Sequence, residues 1–143
     1  MSESGSWLQV RAAGRDLLLS TRELREVVAP SPLAPLPGRL PGIQGVVLHQ
    51  GEFLPVLAWE DLPGARRPEG PPEALAVLRT RLALPLERLV RTLDDLPGLW
   101  EEMEGDDPAR AWLGASVQLQ GPAARHLNVE GLLELLRRFR SER

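Results

Sequence analysis

The sequence contains no cysteine and no lysine, and none of its apolar stretches is long. Without cysteine, the chain can form neither a disulfide framework nor a thiolate metal site. No apolar run approaches the roughly 20 residues that span a bilayer. The N-terminal stretch MSESGSW has no basic segment followed by an apolar core, as a secretory signal would have. These absences predict a cytoplasmic protein that does not insert directly into a membrane.

The charge balance weighs against nucleic-acid binding. Lysine and arginine together number 17 against 20 acidic residues, and the net charge is −3. The four tryptophans are scattered, whereas proteins that bind single strands align aromatic side chains on a basic face. We therefore expect no nucleic-acid partner. With 43% hydrophobic and 26% charged residues, the 143 residues predict one globular domain.

Alternating apolar residues in the first half of the chain predict β-hairpins. One hairpin pattern covers residues 7–20. A second, GVVLHQGEFLPVLAW at residues 45–59, has two apolar strands around Gln50-Gly51, a pair suited to a tight turn. Between the hairpins, residues 30–41 contain five prolines. Because proline removes amide donors and fixes the backbone, this segment predicts an ordered, irregular connection.

The second half of the chain repeats the pattern of the first. Residues 17–28 align with residues 82–93, with apolar positions coinciding at the start, middle and end. The second hairpin aligns with a segment that begins at Gly114, and its Gln-Gly turn recurs at Gln120-Gly121 with a one-residue slip. Two small antiparallel barrels packed together suit such a repeat, because closure hides the sheet edges and neither half buries much core alone.

We therefore predict a mainly β fold of two small barrels packed together in a single domain. The two halves cover residues 7–64 and 73–140, joined by the linker ARRPEGPP, and their terminal strands can exchange between barrels. Short helices complete the fold. They include an amphipathic C-terminal helix after Asn128, which is a natural N-cap.

Residues suited to catalysis or metal binding are sparse. No phosphate-binding loop or dinucleotide fingerprint is present. The two histidines, His49 and His126, fall on opposite arms of their hairpins, and no carboxylate lies at metal-motif spacing from them. Ser116 lacks the second glycine of a nucleophile elbow. The acidic stretch at residues 94–108 predicts an exposed loop instead of a buried catalytic pair. We expect no enzyme activity, no cofactor and no metal.

Several segments resemble the CheW-like domain family. LREVV at residues 24–28 resembles the family element V-x-E-V, and after a proline-rich stretch GVVLHQGEFLPVLAW resembles G-V-I-N-L-R-G-x-I-x-P-V-I-D-L. RLALPLERLVRTL at residues 81–93 is similar to G-L-x-V-D-x-V-x-x-V, and LNVEGLLELL at residues 127–136 to the closing L-D-x-x-x-L. The resemblance implies two five-stranded SH3-like barrels, which agrees with the repeat.

The resemblance also implies a non-enzymatic adaptor in a chemotaxis-type pathway. CheW-type proteins couple the cytoplasmic tip of chemoreceptors to the regulatory domain of a CheA-type histidine kinase. The positions that match the family elements imply the partner-binding residues Leu24, Glu26, Val27, Gly45, His49, Gln50 and Gly51. The alternative is that Leu24 and Val27 belong to the core and that both glycines only serve turns.

Two positions depart from the family pattern. The arginine of N-L-R-G is Gln50 here, which removes a fixed charge capable of forked hydrogen bonding, and the aspartate of P-V-I-D-L is Ala58. These departures support a second hypothesis. In it, the chain is a stand-alone β-barrel module that binds a protein in another pathway, such as pilus motility, without coupling to a kinase.

Overall fold

The computed structural model describes residues 6–38, 40–94, 100–101, 107–119, 121 and 123–141, and about half of them lie in short strands. The strands are β1 (Trp7–Ala12), β2 (Arg15–Ser20), β3 (Leu24–Val28), β4 (Ile43–His49), β5 (Glu52–Leu57), β6 (Ala74–Leu78), β7 (Ala83–Leu86), β8 (Arg88–Leu93), β9 (Trp100–Glu101), β10 (Leu113–Gln118) and β11 (Ala123–Leu127). Two 3-10 turns cover Trp59–Asp61 and Pro108–Ala111, and the helix α1 covers Val129–Ser141.

The strands form two mixed sheets. The first sheet has the order β8-β1-β2-β11-β10-β9, in which β2 and β11 run parallel and the other neighbours are antiparallel. The second sheet has the order β3-β6-β7-β5-β4, with β7 and β5 parallel and the other neighbours antiparallel. Each sheet therefore consists of two hairpins joined by a parallel pair, with one further strand beside the first hairpin. The first sheet has a sixth strand, β9, which pairs with β10.

Each sheet takes strands from both predicted halves of the chain. The hairpin β1-β2 of residues 7–64 joins β8, β10 and β11 of residues 73–140 in the first sheet. The hairpin β6-β7 of the second half joins β3, β4 and β5 of the first half in the second sheet. Apart from β9, the two arrangements correspond: β3 matches β8, the hairpin β6-β7 matches β1-β2, and the hairpin β4-β5 matches β10-β11. Gln120, at the predicted repeat of the Gln-Gly turn, lies outside the described residues.

The predicted mainly β fold with a C-terminal helix is confirmed. Across the described strands, neither sheet closes on itself by backbone pairing. The SH3-like barrels therefore stay a prediction. The expected exposed loop at residues 94–108 falls largely on residues 95–99 and 102–106, which are not described.

Two tryptophans, Trp59 after β5 and Trp112 before β10, fill the core between the sheets. Trp59 and Trp112 are fully buried, with ring centroids 5.7 Å apart, in a cluster that also contains Leu17, Leu84 and Leu132. Buried indoles need a hydrogen-bond acceptor. The Trp59 Nε1 donates to the Pro85 carbonyl and the Trp112 Nε1 to the Pro63 carbonyl, both at 2.7 Å. The first bond joins the 3-10 turn at Trp59 to β7, and the second joins Trp112 to the segment that follows that turn.

The helix α1 begins where the sequence predicts. The Asn128 side chain accepts a hydrogen bond from the Gly131 amide at 3.0 Å, as an N-cap does. Leu132 and Leu135 are buried on the helix face that meets the core. The absence of a side chain at Gly131 lets the helix approach the Ala111 carbonyl, because a Cβ atom at that position would collide with it. The helix is therefore held at its N-terminus by a cap and by a close backbone contact.

An aspartate at the end of the predicted acidic loop fixes the second 3-10 turn. The Asp107 carboxylate accepts hydrogen bonds from the Ala109 amide and from the buried Arg125 guanidinium, both at 2.9 Å. The backbone bond from Ala109 and the positive charge of Arg125 lower the pKa of Asp107. This carboxylate therefore has a structural role.

Candidate partner-binding surface

A tight hairpin carries four of the predicted site residues. Strands β4 and β5 are antiparallel, with His49 opposite Glu52, and Gln50-Gly51 makes the turn. Gln50 has a φ of 49° and Gly51 a φ of 80°. Two successive residues with positive φ match the right-handed twist of a two-residue hairpin. The predicted turn is thus confirmed, and Gln50 occupies a left-handed conformation that is uncommon for a residue other than glycine.

The two faces of this hairpin differ in exposure although both are apolar. Val47, Leu54 and Val56 are buried in a small cluster inside the second sheet. On the opposite face, Leu48 and Phe53 lie directly across from each other and are 57% and 69% exposed. We call residues 48–53 the hairpin tip. It presents an exposed apolar pair, a feature that marks contact sites on protein surfaces.

The structure brings Glu26 and His49 together from separate sequence motifs. The His49 Nε2 lies 2.6 Å from the Glu26 Oε1, and both side chains are partly buried. Glu26 belongs to β3 and His49 to β4, the two edge strands of the second sheet. The sheet is therefore curled strongly enough for side chains of its opposite edges to meet. The contact between His49 and Glu26 was not predicted from the sequence, because it depends on the curvature of the sheet.

The two apolar residues of the V-x-E-V element are only partly exposed. Leu24 and Val27 are half-buried and pack against the main core between the sheets. This position agrees with the alternative that they are core residues. Their contact with a partner stays a prediction.

Gly45 allows a close backbone approach, a role that was not predicted for it. It lies within β4 and not in a turn, and a Cβ atom there would be 2.7 Å from the Ala34 carbonyl and 2.8 Å from the Leu33 Cγ. Ala34 makes two backbone hydrogen bonds with Val46, of 2.8 and 2.9 Å, along the outer edge of β4. Gly45 therefore lets the proline-rich segment cover this edge. A glycine inside a strand pattern is the sequence signal for such a close approach.

The two departures from the family pattern lie in different environments. Gln50 is exposed at the hairpin tip. Ala58 is buried, and its amide donates to the Gly42 carbonyl at 2.8 Å. The Gly42 amide donates in turn to the Asp61 carboxylate at 2.9 Å. The Asp61 carboxylate thus lies close to Ala58, where the family pattern has an aspartate, although Asp61 comes three residues later in the chain.

Among the described residues, neither a group of metal ligands nor a membrane-spanning helix is present. No three His, Asp or Glu side chains among them are grouped as metal ligands would be. In the same part of the chain, no helix combines the length and apolarity needed to cross a bilayer. His126 contacts the rings of Trp7 and Trp100, at centroid distances of 5.0 and 5.7 Å.

Comparison with known proteins agrees with this architecture. The model of the CheW-like domain matches residues 6–137. The crystal structure of the scaffolding protein TtCheW from Thermoanaerobacter tengcongensis matches with a TM-score of 0.74, covering 92% of this chain and 88% of that chain at 14% identity. This likeness shows the fold. No curated protein sequence matches the chain.

Proposed function

The chain belongs to the CheW-like domain family, whose model covers residues 6–137, and we propose that it is a non-enzymatic adaptor of a chemotaxis-type pathway. In this proposal it couples chemoreceptors to a CheA-type histidine kinase in the cytoplasm. The observation that carries the proposal is the hairpin tip, where an exposed apolar pair lies beside the Glu26–His49 contact. Both features belong to elements that match the family.

The hairpin tip is suited to binding through side chains. The outer edge of β4 is already paired with Ala34 at Val46, so a partner strand cannot add to the sheet at that point. Leu48 and Phe53, by contrast, stand on the outer face with most of their surface in water. Large apolar side chains at the centre of an interface contribute most of its binding energy. We assign the kinase regulatory domain to this surface.

Receptor binding is assigned to a surface other than the hairpin tip. Two ligands of one adaptor have to bind together, so they need separate surfaces. Leu24 and Val27, at the border of the core on β3, are the family positions that remain for this second contact. The absence of enzyme activity is part of the proposal and is supported by the match to a scaffolding protein.

Isothermal titration calorimetry tests the kinase contact. The purified chain is titrated with the regulatory domain of the CheA-type kinase encoded by the same organism, and saturable binding is expected. Phe53→Asp should weaken binding about thirtyfold or more, because it replaces an apolar anchor with a charge. Leu89→Asp, at an apolar residue 40% exposed on β8, is the matched control and should bind like the wild type.

The second hypothesis, a protein-binding module without kinase coupling, is favoured by Gln50 at the position of the family arginine. It makes a different prediction for the same titration. If neither the wild type nor Gln50→Arg binds the regulatory domain, kinase docking is rejected and the stand-alone module is retained.

A further inference from the structure

A groove separates the helix α1 from the second sheet. It has a volume of about 280 Å³, and its floor is formed by apolar side chains of the proline-rich segment, of β4, of the β6-β7 connection and of the helix. Leu40, Ile43, Leu82, Leu133 and Leu136 are the main floor residues. We call this feature the α1 groove. It is smaller than the roughly 300–1,000 Å³ typical of small-molecule sites, which indicates a place for a few anchoring side chains of a protein.

The rim of the α1 groove is basic. Arg81, Arg137 and Arg140 line it, and no aspartate or glutamate is among its described lining residues. The nearest acidic partners are weakly placed, with Arg81 3.6 Å from Glu52 and Arg137 3.5 Å from Glu134, and all four of these side chains are exposed. Exposed ion pairs of this kind contribute little, so the guanidinium groups remain available to a ligand. A positive rim is notable in a chain with a net charge of −3.

The walls of the α1 groove are fixed in the folded protein. Gly42 has a φ of 86°, and a Cβ atom there would collide with Leu136 of the helix. The segment that leads into β4 therefore contacts the helix directly beside the groove. The N-cap at Asn128 and the close approach at Gly131 fix the start of the helix. A ligand would thus enter a formed cleft and pay little to order it.

We propose that the α1 groove binds an acidic amphipathic helix of a partner protein. Its apolar face would fill the floor, and its carboxylates would meet Arg81, Arg137 and Arg140. A helix is favoured over a strand because Ala34 already occupies the edge of β4 at Val46, where a strand would otherwise add. The inference goes beyond the adaptor proposal and does not depend on the kinase, because it rests on the groove and its charge.

Fluorescence anisotropy with two synthetic peptides tests this proposal. The probe is a labelled 16-residue amphipathic helix with leucine on one face and glutamate on the other, and the control peptide carries lysine instead of glutamate. The full chain should bind the glutamate peptide at least tenfold more tightly than the lysine peptide. The difference should shrink as salt is raised from about 50 to 500 mM, because salt screens exposed charges.

Variants locate the binding site. Arg137→Gln and Arg140→Gln should each weaken binding of the glutamate peptide by about two- to fivefold. Arg138→Gln is the matched control, since it removes the same charge from the same exposed helix end without lining the groove. Arg81→Gly should weaken binding without loss of stability, because Arg81 has a φ of 66° that glycine adopts more easily.

Three results would overturn the proposal. The first is equal or absent binding of the two peptides, and the second is a groove variant that behaves like Arg138→Gln. The third is self-association of the chain that is lost in Arg137→Gln, which would assign the groove to a second copy. Kinase binding is measured separately by calorimetry, so failure of one proposal leaves the other standing.

Discussion

The 2.6 Å contact between the His49 Nε2 and the Glu26 Oε1 connects the two edge strands of the second sheet. No backbone pairing of the described residues joins β3 to β4. The side-chain contact therefore spans the seam of a strongly curled sheet. It also positions His49 at the base of the hairpin tip, so the stability of this seam and the shape of the proposed kinase surface are connected.

A double-mutant cycle measures this contact. Glu26→Ala and His49→Ala should each destabilise the fold, and the coupling energy between them should be about 0.5–1.5 kcal/mol, the usual range for a hydrogen bond. Urea unfolding of the wild type, the two single variants and the double variant gives the value. The control cycle uses Arg81→Ala and Glu52→Ala, an exposed pair at 3.6 Å that should show weaker coupling. Additive effects of Glu26→Ala and His49→Ala would refute the contact.

Gln50→Arg tests whether the hairpin tip lost affinity with its arginine. The variant restores a charge that can donate forked hydrogen bonds, and we expect it to tighten binding of the kinase regulatory domain by about two- to fivefold. The fold should not change, because Gln50 is exposed and arginine meets the same backbone conformation. Calorimetry and a thermal melt provide the two measurements.

The control at the same position is Gln50→Gly. It suits the φ of 49° and should raise stability slightly, without adding a charge or tightening the kinase complex. If Gln50→Gly and Gln50→Arg tighten binding equally, the effect comes from the turn and not from the guanidinium.

Much of the local structure could be predicted from the sequence, since it depends on neighbouring residues. The alternation around Gln50-Gly51 specified the hairpin, and Asn128 specified the start of the final helix. The sequence allowed an exchange of terminal strands between the barrels, but it did not specify which hairpins exchange between the sheets. Short apolar strands with one repeated pattern can pair within a half or between halves, and only the packing of the whole chain decides.

The candidate site shows the same division. Glu26 and His49 were both assigned to the partner surface. Their contact joins residues 23 positions apart in the sequence, and it forms only because the sheet is curled. The exposure of Leu48 and Phe53 could not be predicted either, because both faces of the hairpin are apolar and the alternation of residues does not show which face is buried.

Gly45→Ala should destabilise the fold by about 1–3 kcal/mol. The added methyl group would meet the Ala34 carbonyl and the Leu33 side chain at distances well inside normal contact, so the segment that covers β4 has to move. Gly70→Ala is the matched control, since nothing lies within 4 Å of its Cβ position and its backbone is not left-handed. Chemical denaturation of both variants checks the prediction, and equal stability of the two would contradict it.

Glu23 makes the stability of the fold depend on pH. Burial and the nearby Glu130 carboxylate raise the pKa of Glu23, and its Oε2 is buried without a hydrogen-bond partner among the described residues. The folded state therefore binds the proton more tightly than the unfolded state does. The resulting cost to stability is absent well below the ordinary pKa of a glutamate, grows as pH rises from that pKa to the raised pKa of the folded state, and is complete above it.

Glu23→Gln removes this cost. The variant should be more stable than the wild type at pH 7, and the difference should shrink as the pH falls and be smallest at pH 4, because protonation then removes the charge in both states. Urea midpoints at pH 7, 6, 5 and 4 measure the trend. Glu60→Gln, which removes an exposed carboxylate, is the control and should show little change across the series. A Glu23→Gln variant that is less stable than the wild type at pH 7 would show that the ionised carboxylate stabilises the fold, contrary to the buried, unpaired position of its Oε2 atom.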